Sequence, residues 1–313
     1  MQAYSVASRR FTGSQTCKKN GTHSARPTHG AHPNSIGHSR RLPWATHGLL
    51  ALISISSASA QFATDVVNYN PGVGAASGYT DPSSSVGAPS QFTPGPYGGP
   101  VDPFNPAYQQ SQLVSIGAGG SLEVHFATPI QADPAHPFGL DFLIYSGSFF
   151  VVTNALDSNY NYIGTPATDG SLGSIATGNT RVSVSDDGTH FFTLDPAHAP
   201  SVASLYPTDG QGTLGLPVNP GLKNGDFAGL TIDGIRAKYA GSAGGAGYSI
   251  GWALDSNGNP VKLGQISYLQ VDVLSGRAQI DGFSAVTVPE PSACVLLALA
   301  FPGFYWATRR QQQ

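Results

Sequence analysis

Cysteine, charge and glutamate are the scarce materials of this sequence. It has only two cysteines, Cys17 and Cys294. Both fall in terminal segments that read as separate from the folded body, so the body has neither a disulfide framework nor a thiolate metal site. A core of this size needs no such staple. Charged residues are 11% of the chain and are unevenly spread. Seven of the 15 Lys and Arg precede residue 42, and Arg309 and Arg310 stand at the other end. Between Gln61 and Val288, six bases face 17 acids, a formal charge of −11. Such a surface repels nucleic acid and anionic lipid, so nucleic acid is excluded as a partner. Glutamate is scarcer still, since Glu123 is the only one in that stretch. Glycoside hydrolysis needs two carboxylates held across the bond. The remaining acids are Asp residues set mostly beside Gly, Pro or Asn, where turns favour them.

Helix-compatible composition is also missing. The 39 Gly and 24 Pro make about a fifth of the chain, more than a helical protein tolerates. Hydrophobic residues at 40% and aromatics at 10% are nevertheless enough for a core.

What is present begins at the two ends. Arg40-Arg41 precede the apolar run Leu49-Leu50-Ala51-Leu52-Ile53-Ser54-Ile55, and Ser57-Ala58-Ser59-Ala60 follow. A positive region, a short apolar stretch and an Ala-x-Ala site are the parts of a secretory signal peptide, which predicts cleavage after Ala60, with Ala58 as the other small residue. Upstream, His23, His29, His32 and His38 lie near Cys17, but their spacing fits no closed zinc pattern. At the far end, Val288-Pro289-Glu290-Pro291-Ser292 precede about 14 apolar residues from Ala293 to Trp306, broken by Pro302-Gly303, and then Arg309-Arg310. A spanning helix wants about 20 residues. The order of these parts resembles the PEP-CTERM sorting signal of exported bacterial proteins. That resemblance implies a bacterium that makes exopolysaccharide, an exosortase-type membrane protease and the export machinery as partners, and a tail that anchors transiently or permanently. The chain thus divides into residues 1–60, a disordered leader plus signal peptide; 61–287, the folded domain; and 288–313, a sorting tail with a short hydrophobic helix.

Between Gln61 and Val288 the hydrophobic pattern has period two. Leu122, Val124 and Phe126 alternate with Ser121, Glu123 and His125, and with Leu113-Val114-Ser115-Ile116 they read as a hairpin across Gly117-Ala118-Gly119-Gly120. Leu140–Tyr145 and Phe149–Val152 read as buried strands. Arg181–Ser185 and Phe191–Leu194 read as a hairpin about Asp186-Asp187-Gly188. Tyr268–Val273 alternates, turns at Ser275-Gly276 and resumes through Ile280 and Phe283. This predicts an all-β, antiparallel two-sheet sandwich. The Val182–Phe192 hairpin and the last strands resemble those of discoidin-type, galactose-binding-like jelly rolls, a resemblance that implies fold more than ligand.

Four motifs bear on chemistry. Phe92, Tyr97, Phe104 and Tyr108 lie on a proline-stiffened stretch and could stack on sugar rings, or else pin that stretch to the sandwich. Gly247-Tyr248-Ser249-Ile250-Gly251 matches the nucleophile elbow Gly-x-Ser-x-Gly, which works only on a strand–turn–helix with a His to activate the Ser; no helical pattern follows it. Asp133-Pro134-Ala135-His136 and Asp195-Pro196-Ala197-His198 are alike and read as turns. Asp255-Ser256-Asn257-Gly258-Asn259 alternates oxygen ligands as a calcium loop does, but lacks the later Gly and Glu. With Asp281, residues Asp255, Asn257 and Asn259 are the metal candidates. No cofactor is expected, and calcium is the structural ion that would suit an acidic exported body. The expected function is that of a non-catalytic surface or matrix protein associated with exopolysaccharide. The alternatives are a carbohydrate-binding adhesion module using the aromatic loop and, third, a secreted hydrolase.

Overall fold

The computed structural model describes residues 61–96, 98–159, 161–173, 178–202 and 206–287. The signal site at Ala58 and Ala60, the sorting motif Val288, Pro289, Glu290, Pro291, Arg309 and Arg310, and Tyr97 all lie outside the described residues. Among those described, no helix is long and apolar enough to cross a membrane.

The chain contributes strands in this order: β1 (Asp65–Asn70), β2 (Phe92–Thr93), β3 (Gly99–Pro100), β4 (Val114–Gly117) and β5 (Ser121–Gln131). Then come β6 (Phe142–Ser146), β7 (Phe149–Val152), β8 (Thr168–Gly173), β9 (Asn179–Ser185) and β10 (Phe192–Leu194). The last are β11 (Ala246–Tyr248), β12 (Ala253–Leu254), β13 (Gln265–Ser275) and β14 (Arg277–Ala285). A six-stranded sheet has the order β1-β5-β13-β9-β10-β12, and a four-stranded sheet the order β11-β6-β14-β4. Two short hairpins, β2-β3 and β7-β8, stand apart from them. Pairing within both sheets is antiparallel.

The period-two pattern explains how the sheets meet. Leu122, Val124 and Phe126 of β5 and Leu269, Val271 and Val273 of β13 share one core with Ile116, Phe142, Ile144, Ile280 and Phe283 of the smaller sheet. Each fully buried ring or branched side chain contributes about 1.5–3 kcal/mol relative to exposure. The protein is therefore an all-β assembly of two antiparallel sheets facing across a common interior. Strand β14 is buried on both faces: Ala278, Ile280 and Phe283 belong to the shared core, while Gln279 and Asp281 alternate with them.

The expected hairpin of 113–116 with 122–126 does not form. β4 pairs with β14 in the smaller sheet and β5 with β1 and β13 in the larger one, so Gly117–Gly120 is a corner where the chain changes sheets. The reason lies in long-range backbone packing. Residues 71–73 lie on the corner, with Gly117 N donating to Pro71 O at 2.7 Å and Val73 and Ala118 exchanging a pair of 2.9 Å bonds. At Gly72 (φ +66°), a Cβ would stand 2.5 Å from both Gly117 O and Gly120 N, so only glycine allows that approach. The β9–β10 hairpin does form, pairing Phe192 with Val184 and Thr193 with Ser183. Its connection is longer than a two-residue Asp-Gly turn, and Asp187 organises it by accepting from the Thr189 and His190 amides.

One element departs from strands alone. Helix α1 (Ile232–Tyr239) is short and carries Gly234, but it buries Ile235 and Tyr239 in a second cluster with Tyr206, Phe227 and Phe150. Ala240 ends it in the left-handed conformation at φ 52°.

Candidate functional site

A buried polar centre forms around Asp141, which precedes β6 and is 2% exposed. Its Oδ1 accepts from the Asp133 amide at 3.1 Å and lies 2.9 Å from His136 Nδ1. Its Oδ2 accepts from the Ser249 hydroxyl at 3.2 Å and the Ile250 amide at 2.8 Å. Both oxygens are thus engaged twice. Ser249 follows β11 and caps a single 3₁₀ turn, Ile250–Trp252, accepting from the Gly251 amide. The Gly-x-Ser-x-Gly stretch therefore sits on a strand and a 3₁₀ turn, with no α-helix behind it. In a nucleophile elbow the imidazole takes the serine proton. Here the carboxylate stands between the two, and the hydroxyl donates to Asp141 while His136 holds the other oxygen.

The second Asp-Pro-Ala-His turn packs against the same 3₁₀ segment. The Asp195 amide donates to Trp252 O at 2.8 Å, and the His198 ring stacks on Trp252 with centroids 5.9 Å apart. Each turn is closed by its own aspartate, which accepts from the Ala135 or Ala197 amide. Both are turns, as the sequence suggests. That they flank one segment is not visible from their spacing.

The aromatic stretch is only partly free. Phe104 is half-buried against the cluster of Phe150 and Phe227, and Tyr108 is half-buried. Phe92 is 62% exposed. Gln112 ties the segment down, donating to Phe92 O and accepting from the Gln109 amide at 3.1 Å each.

The metal candidates divide between two places. Asp255, Asn257 and Asn259 form one exposed turn after β12, in which Asp255 Oδ1 accepts from the Asn257 and Asn259 amides, both at 2.8 Å. Those bonds, led by the Asn259 amide, hold the Asp255 carboxyl below its usual range. Asp281 lies instead in the interior on β14, where Ser90 gives its hydroxyl to Oδ1 at 2.7 Å and its amide to Oδ2 at 3.0 Å. Burial pushes the Asp281 pKa up to about 7, against the bonds from Ser90, which act to lower it. Among the described residues no group of three or more His, Cys, Asp or Glu is placed to hold a metal ion.

A recurrence in the sequence identifies a related element. Ala155-Leu156-Asp157-Ser158-Asn159-Tyr160-Asn161 repeats Ala253-Leu254-Asp255-Ser256-Asn257-Gly258-Asn259 at all but one position. Asp157 is bonded by the Asn159 and Asn161 amides at 2.8 and 2.9 Å, as Asp255 is by its own. The copies differ in setting: Ala253 is buried and paired to β10, whereas Leu156, Tyr162 and Ile163 are exposed.

The outer face of the larger sheet is polar and partly exposed, with Ser183 and Ser185 at its β9 side buried. Across its strands run rows of facing residues: Asp65, His125, Tyr268 and Ser185; then Asn68, Glu123, Gln270 and Ser183; then Asn70, Ser121, Asp272 and Arg181. Most members have partners within the face. Arg181 donates twice to Asp272 Oδ2, at 3.1 and 2.9 Å, and Gln270 donates to Asp272 Oδ1 at 2.7 Å. His125 lies 3.3 Å from Asp65 Oδ2 and its ring meets Tyr268 at 4.8 Å.

The class that fold and geometry define is an antiparallel two-sheet β protein with internal carboxylates, that of Asp141 among them, and a polar outer face on the larger sheet. No protein-family model matches the chain, and no curated protein matches it significantly.

Proposed function

We propose that this chain is an exported, non-catalytic protein of the cell surface or extracellular matrix. In this reading its sandwich is of the jelly-roll kind, the segment ending at Ala60 directs export, and Val288-Pro289-Glu290-Pro291 with Arg309-Arg310 addresses the tail to an exosortase-type protease. Exopolysaccharide is the surrounding material. The observation that carries the non-catalytic part is the Asp141 node. Ser249, His136 and Asp141 are a set of side chains that could be mistaken for a hydrolase triad, and their hydrogen bonds tie three chain segments together. A serine whose proton points at a carboxylate already holding the histidine has no imidazole in contact to take that proton.

The test is the intact mass and fractionation of the protein from its native cells. A mature N-terminus at Gln61, a surface or matrix location and loss of the tail are expected. Recovery in the cytosol with residues 1–60 attached, or at the surface with the tail uncut, would overturn the corresponding part. Ester hydrolysis by the full chain that disappears in Ser249→Ala would overturn the non-catalytic reading.

A further inference from the structure

We propose that the polar outer face of the larger sheet, over β1, β5 and β13, is a binding platform for a polysaccharide bearing free amines, with Glu123 as the partner of a ligand ammonium group. The inference rests on the matrix setting proposed above and names the material that the sandwich would hold there.

The charges on the face point to the ligand's sign. Asp65, Glu123 and Asp272 stand against a single guanidinium, that of Arg181. Asp272 is satisfied by Arg181 and Gln270, and Asp65 by Thr64 and His125. The Glu123 carboxylate has no hydrogen-bond or ion-pair partner among the described residues. It is half-buried at the centre of the middle row, between Asn68 on β1 and Gln270 on β13. Partial burial pushes its carboxyl pKa up, the response of an acid that has lost water without gaining a donor. A ligand ammonium reverses that penalty through a charge-assisted hydrogen bond. Polyanions meet a net negative body and are repelled.

The shape of the face points to an extended chain of rings. The rows cross the strands, and neighbouring strands lie about 4.8 Å apart, close to the length of one pyranose ring in an extended polymer. A chain lying along the middle row meets the Asn68 side chain, the Glu123 carboxylate and the Gln270 amide in turn. The His125 and Tyr268 rings in the adjoining row, 4.8 Å apart and tilted 40° to each other, add partly exposed aromatic edges beside that path.

Calorimetric titration of the full chain tests this with four probes: a β-1,4 glucosamine hexamer, its fully N-acetylated counterpart, a β-1,4 glucose hexamer and a lysine hexamer. Saturable binding of the glucosamine hexamer is expected, tighter than each of the others by about tenfold or more. Glu123→Gln, which keeps the shape and removes the charge, weakens it by about tenfold. Gln270→Ala weakens it as well, and the melting temperatures of both variants report that the fold persists. No saturable binding, equal binding in Glu123→Gln, or equal affinity for the acetylated, neutral or peptide probe overturns the proposal. A failed titration by a protein that is correctly exported and trimmed removes only the platform. Binding by a protein found in the cytosol would remove the matrix setting instead.

Discussion

Ser249 and His136 hold opposite oxygens of one buried carboxylate, that of Asp141, so a loop, a strand and a 3₁₀ turn are fastened at a single point. The contributions of the two sides are unequal. Ser249→Ala removes one hydroxyl bond of several and is expected to cost about 1 kcal/mol. Asp141→Ala leaves the Asp133 and Ile250 amides and the His136 ring without their acceptor, and is expected to cost about 3 kcal/mol or more. Chemical denaturation of both variants checks the order, and a larger loss in Ser249→Ala than in Asp141→Ala would contradict it.

Asp281 sets a pH dependence of the opposite sense to that of most aspartates. Its pKa rises from 3.8 to about 7 on folding, so between these values the folded state holds a proton that the unfolded chain releases. Its contribution to stability is complete below about pH 4 and is lost as pH climbs through 7. Asp281→Asn keeps an acceptor for Ser90 and removes the titration. Melting curves from pH 4 to pH 8 should therefore show a smaller decline for this variant than for the wild type. Parallel curves would mean that Asp281 does not titrate in this range.

Arg236 on α1 reaches back to Asp209, donating to Oδ2 at 2.7 Å and Oδ1 at 3.1 Å. Asp209 is 2% exposed, and the half-buried Asp102 lies in the same field, its own carboxyl pushed up by burial. Arg236→Ala therefore strands a buried carboxylate and is expected to cost about 3 kcal/mol. Arg236→Lys should restore only part of that, because one ammonium cannot match both oxygens as the planar guanidinium does. Full recovery by lysine, read from denaturation midpoints, would show that charge alone matters.

The corner between the sheets gives a paired glycine test. Gly72 and Gly74 both have positive φ, but a Cβ at Gly72 collides with the backbone of Gly117 and Gly120, whereas at Gly74 it meets nothing within 4 Å. Gly74→Ala is expected to cost about 1 kcal/mol from backbone conformation alone. Gly72→Ala should cost well over 2 kcal/mol, since strain and collision add. Similar costs would mean that the corner yields more easily than its packing indicates.

The alternation of Leu122, Val124 and Phe126, and of Leu269, Val271 and Val273, is legible because each strand has one face in the core and one outside. The pairing of residues 113–126 carries no such distinguishing pattern. A hairpin and a sheet-crossing corner share the same glycine-rich link, and the difference is made by residues 71–73, some 45 positions upstream. Helix α1 is hidden for a similar reason, since Ile235 and Tyr239 are held by Phe227 and Tyr206 rather than by local propensity. At the candidate site, Ser249 and Asp255 carry recognisable spacing, but Asp141 reads as one residue at the edge of an apolar strand. Its role comes from partners up to 109 positions away. The Ala-Leu-Asp-Ser-Asn-x-Asn recurrence is the signal that sequence alone could have supplied.

The last strand also determines how the body would bear load. Gln61 O accepts from the Ala285 amide at 2.8 Å, and Phe62 bridges to Ser284, so the first and last described stretches leave from one pole. Tension applied beyond Thr287 enters β14, which is laddered to β6 on one side and β4 on the other. Those bonds lie across the line of pull and are strained together in shear rather than peeled one by one. A tether at that pole would thus load a strand that is held by a ladder on each side.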